Sequence, residues 1–196
     1  MNMCAFCNLI IFYRFRTKET ICFLLLTLKI YEMYVGMTPL MIAIIKNRPD
    51  MVKFLLESGA PTDKRSLGDN TAMEIAIRYH DREEIIELLL QFGADPNFPC
   101  TPFSTPLFSA CSKNMYKYIP ILVKAGARIN ETVNKRTALH TAAWNNNIES
   151  VRLLIEAGAD LKLFCGYWGT ALDDAIQNKS KEAAEILIQA GAIKMR

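Results

Sequence analysis

The chain has 196 residues, 51% of them apolar and 22% charged, with a formal net charge of +3. That apolar content supports a packed core and excludes general disorder, while so small a basic excess gives no electrostatic footprint for nucleic acid. Splitting the charge changes nothing: residues 1–35 hold Arg14, Arg16, Lys18 and Lys29 against Glu19 and Glu32, and the remainder is nearly neutral.

Taken from the N-terminus, residues 1–34 contain two apolar runs, 4–13 and 21–31, separated by the charged stretch Arg14 to Glu19. Neither run reaches the roughly 20 apolar residues a membrane-spanning helix needs. A signal peptide would place its apolar region at ICFLLLTL, but Lys29, Ile30, Tyr31 and Glu32 come next in place of small residues. Membrane anchorage or export through this segment stays open as the less favoured reading. The favoured one pairs the helical face of Ile21, Leu24, Leu25 and Leu28 with the apolar residues downstream, Leu40, Ile44, Val52 and Leu55. Residues 20–31 are then an N-terminal cap, or the second helix of a degenerate repeat.

From residue 35 the chain repeats itself. Thr38, Thr71, Thr105, Thr137 and Thr170 are separated by 33, 34, 32 and 33 residues, and open the phrases TPLMIAI, TAMEIAI, TPLFSAC, TALHTAA and TALDDAI. A second marker, glycine followed by alanine, keeps step at Gly59, Gly93, Gly126, Gly158 and Gly191. Residues 137–160 show the expected structure of one copy. Thr137 caps a short helix with Leu139, Ala142 and Ala143 on one face. Asn145, Asn146 and Asn147 turn the chain, and a second helix from Ile148 to Ala157 carries Ile148, Val151, Leu154 and Ile155 on one side. Gly158 stops it in a left-handed conformation. Helices this short are marginal alone, so each copy must lean on its neighbours, and an elongated all-α stack results.

Three copies depart from the pattern. The second has Glu74 where the fourth has His140, and one extra residue before its glycine. The third has Pro120 in its second helix, which is therefore expected to start late. In the fifth, Asp173 and Asp174 with Lys181, Glu182 and Glu185 are expected to form a polar outer face, as a terminal cap would, with the stack ending where the chain does.

The 33-residue period, the phrase TALHTAA and the closing Gly158-Ala159-Asp160 resemble the ankyrin repeat family over residues 35–193. The resemblance implies an all-α ankyrin solenoid of about five helix-turn-helix repeats with short β-turn or hairpin connections, in repeats near 35–67, 68–101, 102–133, 134–166 and 167–196. It implies a protein-binding scaffold whose concave face is formed by turn tips and first helices. The implied contact positions are Tyr34, Met37, Ile45 and Lys46 in the first repeat and Leu67, Asn70, Arg78 and Tyr79 in the second. In the third they are Thr101, Ser104 and Lys113, and in the fourth Val133, Asn134, Arg136, Trp144 and Asn145. In the fifth they are Tyr167, Gln177 and Asn178, beside Trp168. The partner-binding residues are read as Arg78, Tyr79, Lys113, Arg136, Trp144, Asn145, Tyr167 and Trp168. Trp144 either faces the groove or packs against the turn around Tyr167 and Trp168.

Nothing in the sequence assembles a catalytic site. His140 lies in the repeat phrase, where the resemblance implies a hydrogen bond to neighbouring loop backbone, and His80 is expected to be exposed in a turn. No phosphate-binding glycine loop is present, and Glu83–Glu84 and Asp173–Asp174 are adjacent pairs that point apart on a helix. The cysteines Cys4, Cys7, Cys22, Cys100, Cys111 and Cys165 are irregularly spaced. Cys4 and Cys7 have no second pair to complete a zinc site, so all six are read as structural or incidental thiols in a reducing compartment. The expectation is a cytoplasmic, monomeric, non-enzymatic adaptor for a protein partner, with no cofactor, no metal, no small-molecule substrate and no nucleic acid. The alternatives are a substrate-targeting subunit of an enzyme complex such as a ubiquitin ligase, whose docking motif would have to lie in residues 1–34, and a membrane-tethered protein anchored by that segment.

Overall fold

The computed structural model describes residues 36–101, 104–165 and 169–194. The chain divides into two units, residues 1–36 and 37–196, and every described helix belongs to the second. The proposed cap at 20–31, the Cys4–Cys7 pair, Tyr34, Tyr167 and Trp168 lie outside the described residues.

Ten helices are described, in five antiparallel pairs: α1 (Pro39–Ile45) with α2 (Pro49–Glu57), α3 (Ala72–Arg78) with α4 (Glu83–Gln91), α5 (Pro106–Ser112) with α6 (Tyr118–Lys124), α7 (Ala138–Trp144) with α8 (Ile148–Glu156), and α9 (Ala171–Gln177) with α10 (Lys181–Gln189). Each phrase-opening threonine is an N-cap. Its backbone is extended, and its hydroxyl accepts the N–H three residues on, at 3.2 Å from Met41 and Glu74 and 3.3 Å from His140. Pro39 and Pro106 open their helices where no intrahelical donor is needed.

The glycine–alanine marker also has a local cause. Gly158 sits at φ 87°, and a Cβ there would meet nothing within 4 Å, so backbone conformation rather than space requires glycine. The following alanine closes the helix: Ala159 N donates to Leu154 O at 2.9 Å, and Ala60, Ala94, Ala127 and Ala192 make the same bond. Between the helices of a pair the chain turns through left-handed Asn47, Asp81, Asn114, Asn146 or Lys179. The extra residue of the second repeat is absorbed in this turn, where Tyr79 is extended rather than helical. Helix α6 begins only at Tyr118, so Pro120 falls in its first turn, in line with the late start expected of it.

First helices pack on first helices and second on second, making two rows. Alanine occupies the fifth position after every capping threonine (Ala43, Ala76, Ala110, Ala142 and Ala175), all buried, whereas the second row is packed with Leu89, Leu122, Leu154 and Leu187. Small side chains let the first row stack more closely than the second. Short loops bearing isolated β-bridges, such as Val133 with Arg136, join one pair to the next.

A polar stitch recurs between pairs. At the start of each later second helix, a side chain reaches a carbonyl at the C-terminal end of the preceding first helix. Arg82 Nε donates to Ile44 O at 3.2 Å, Asn147 Nδ2 to Cys111 O at 2.7 Å and Ser180 Oγ to Trp144 O at 2.9 Å. The Tyr118 hydroxyl does the same to Tyr79 O. Ile44 O and Cys111 O also accept a backbone N–H of the following turn, from Asn47 at 3.0 Å and Asn114 at 3.3 Å, so there the stitch adds a second donor to a carbonyl at the helix end.

The fifth pair corrects one expectation. Lys181, Glu182 and Glu185 are exposed, but Asp173 and Asp174 are not part of a polar outer face; they are 7% and 0% exposed. Asp173 is consumed by capping, its Oδ2 accepting Thr170 N at 2.8 Å, and Asp174 faces Arg136 of the fourth pair. The outward positions hold isoleucine instead. Ile176 is 42% exposed, although Ile44, Ile77, Cys111 and Ala143 at the same position are each fully buried under the next pair.

Candidate partner-binding surface

Four of the expected contact residues gather around two buried carboxylates that the sequence reading did not include. Glu74, in α3, is 2% exposed. It receives Lys113 Nζ at 2.9 Å from the third pair and Arg78 Nη2 at 3.7 Å from its own helix, and Ser109 Oγ donates to it at 2.6 Å. Lys113 also donates to Ser109 at 2.8 Å, and Arg78 to Asn70 Oδ1 at 2.8 Å. Two cations thus share one buried acid, and both reach the surface beside α3 and α5.

The second cluster joins the fourth and fifth pairs. The Arg136 guanidinium lies 4.5 Å above the Trp144 ring, and its Nε is 3.4 Å from Asp174 Oδ2. Among the described residues, neither oxygen of Asp174 has a hydrogen-bond partner. Burial pushes its pKa up to about 6, with Arg136 opposing and Asp173 adding to the shift. The ion pair and the raised pKa pull in opposite directions, and burial prevails because no hydrogen bond compensates the lost hydration. Trp144 is half-buried beneath Arg136.

The remaining expected residues are spread along the row. Tyr79 is 38% exposed and stacks with Arg82, whose guanidinium is 5.4 Å from the ring centre. Asn145 is exposed at the C-cap of α7, and Gln177 and Asn178 are exposed at the end of α9. Asn178 Nδ2 donates to Trp144 O at 2.6 Å, tying the two pairs at the rim. Leu67 stands out on its loop at 77% exposure.

His140 makes the loop contact that was expected. Its Nδ1 accepts the Thr137 hydroxyl at 2.7 Å and its Nε2 donates to Gly169 O at 3.2 Å, so both nitrogens are occupied in the neutral ring. Burial, first, and then nearby Arg136 lower its pKa against the opposing Gly169 bond. His80 is exposed. Cys100, Cys111 and Cys165 are buried thiols, and burial raises the pKa of each. Among the described residues, no group of His, Cys, Asp and Glu could hold a metal ion, and no helix is long and apolar enough to cross a membrane. A shallow cleft of about 430 Å³ lies among the loops of the first two pairs, between Pro61, Phe92 and Phe98, and includes none of the expected contact residues.

Paired helices stacked in two rows, with anchored aromatic and cationic side chains along the closer row, define a helical-repeat scaffold. The chain belongs to the ankyrin repeat family: the family description "Ankyrin repeats (3 copies)" matches residues 9–100 and 93–165. It is similar to alpha-latrotoxin-Lg1a of Latrodectus geometricus, 30% identical over 67% of this chain and 10% of the toxin. An ankyrin repeat protein of Rickettsia bellii is 31% identical over 79% of this chain and 21% of its own length. Inversin of Canis lupus familiaris is 32% identical over 68% and 13% respectively. The chain therefore spans between about a tenth and a fifth of these relatives.

Proposed function

We propose that this chain is a non-enzymatic, cytoplasmic adaptor that holds a protein partner against its first-helix row. The contact residues in this reading are Arg78, Tyr79, Lys113, Arg136, Trp144 and Asn145, together with Tyr167 and Trp168. The observation that carries it is Arg136 stacked on a half-buried Trp144 at the surface of that row. Arginine and tryptophan dominate interface energetics when a partner completes their burial, and a prestacked pair has already lost part of its conformational freedom.

The test is capture of partners with the tagged chain, followed by affinity measurement on the purified pair. Trp144→Ala is expected to weaken the partner's binding by about tenfold or more. Equal binding by the intact chain and the variant, with unchanged helical signal in both, would overturn the reading.

A further inference from the structure

A net charge of +3 conceals a partition of charge between the two rows. On the first helices and the residues capping their C-termini, every acid is buried: Glu74 is 2%, Asp173 7% and Asp174 0% exposed. The bases in the same positions, Lys46, Arg78 and Lys113, all reach solvent. The second helices show the opposite balance, since each except α6 carries more acids than bases. Burial thus removes the negative charge of the first helices and leaves that of most of the second helices.

From this partition we infer that the first-helix row receives an acidic segment of the partner protein. The inference rests on the proposed function, since it names the chemistry of the partner on that same face. Three features carry it beyond a count of charges. The cations are held in place: Arg78 by Asn70 and Glu74, Lys113 by Glu74 and Ser109, Arg136 by Trp144 and Asp174. An incoming carboxylate therefore meets donors already ordered, at reduced entropic cost. Glu74 is one anion for two cations, so the cluster around it keeps a net positive charge toward solvent. The acidic second row repels the same segment, which orients its approach to one face.

The direct probe is a fluorescein-labelled poly-glutamate peptide titrated with the full chain and followed by anisotropy, beside poly-lysine and a single-stranded oligonucleotide of similar length. Poly-glutamate is expected to bind best, and to weaken about tenfold as salt is raised well above physiological strength. The double reversal Lys46→Glu with Arg78→Glu should lower its affinity about tenfold, and the milder Lys46→Gln with Arg78→Gln should lower it less. Reversal on the second row, Glu84→Lys with Glu87→Lys, should leave it unchanged or stronger. The inference is overturned if poly-glutamate does not bind, if the first-row variants bind it as well as the parent, or if the oligonucleotide binds more tightly. A partner lost on Trp144→Ala but indifferent to the first-row charge reversals would leave the proposed function standing and the acidic segment refuted.

Discussion

Glu74 is buried between the second and third repeats. It occupies the position of His140, where the fourth repeat reaches a loop carbonyl through a neutral ring. A carboxylate cannot donate there, and it recruits Lys113 and Ser109 from the next repeat instead. Removing Lys113 leaves the buried anion with the Ser109 hydroxyl and, as its one cation, Arg78 at 3.7 Å, so Lys113→Met should cost about 2 kcal/mol in urea unfolding. Adding Glu74→Gln to that variant should recover part of the loss, and a strictly additive pair would show that the two do not interact. Asp174 gives a pH prediction. Its folded pKa is raised to about 6 above the ordinary carboxylate value, so the folded state binds the proton more tightly than the unfolded chain. Stability from this group is fully present below the unfolded pKa and is lost as pH rises through the folded one. Asp174→Asn should therefore be more stable than the parent at neutral pH, with the gap narrowing by about 1 kcal/mol on acidification to about pH 5. The lowered pKa of His140 acts in the opposite direction, but it is common to both proteins and largely cancels in the comparison.

At the scale of elements, the helices were legible because their boundaries are set locally. A threonine hydroxyl three residues from its N–H, and a glycine at positive φ, need no distant partner to define a start and a stop. Gly158→Ala should accordingly cost about 1 kcal/mol, from left-handed backbone rather than from any clash. Pro120→Ala should change stability by less than about 0.5 kcal/mol, because the proline stands in the first turn of α6. A loss above about 2 kcal/mol on Pro120→Ala would mean that the ring itself is needed there. The stitches between pairs were not legible. Arg82, Tyr118, Asn147 and Ser180 share one task but no chemical type, and nothing in the sequence marks them as equivalent.

Across the whole molecule, stability is spread over neighbour contacts rather than focused on one centre. Leu122 and Leu187 are both fully buried, but α6 lies between two second helices whereas α10 packs only on α8 in that row. Leu122→Ala should therefore cost more than Leu187→Ala, within the roughly 2–5 kcal/mol typical of such truncations, when both are followed by urea unfolding. Equal losses would argue that the array unfolds without regard to position. At the same scale, Ile176 marks how far position in the stack overrides residue type, since the same slot is sealed in four pairs and open in the fifth.

The sequence by itself determined the family, the number and spacing of the helix pairs, their caps and stops, and the late start at Pro120. These arise from interactions within a few residues, and a period of 33 repeats them in register. Only the tertiary structure decided which charges meet solvent. Glu74 is buried by a residue from the next repeat, and Asp173 and Asp174, expected on an outer face, are turned inward. Whether a carboxylate is exposed depends on what a neighbouring pair places against it some thirty residues away, and no local pattern encodes that.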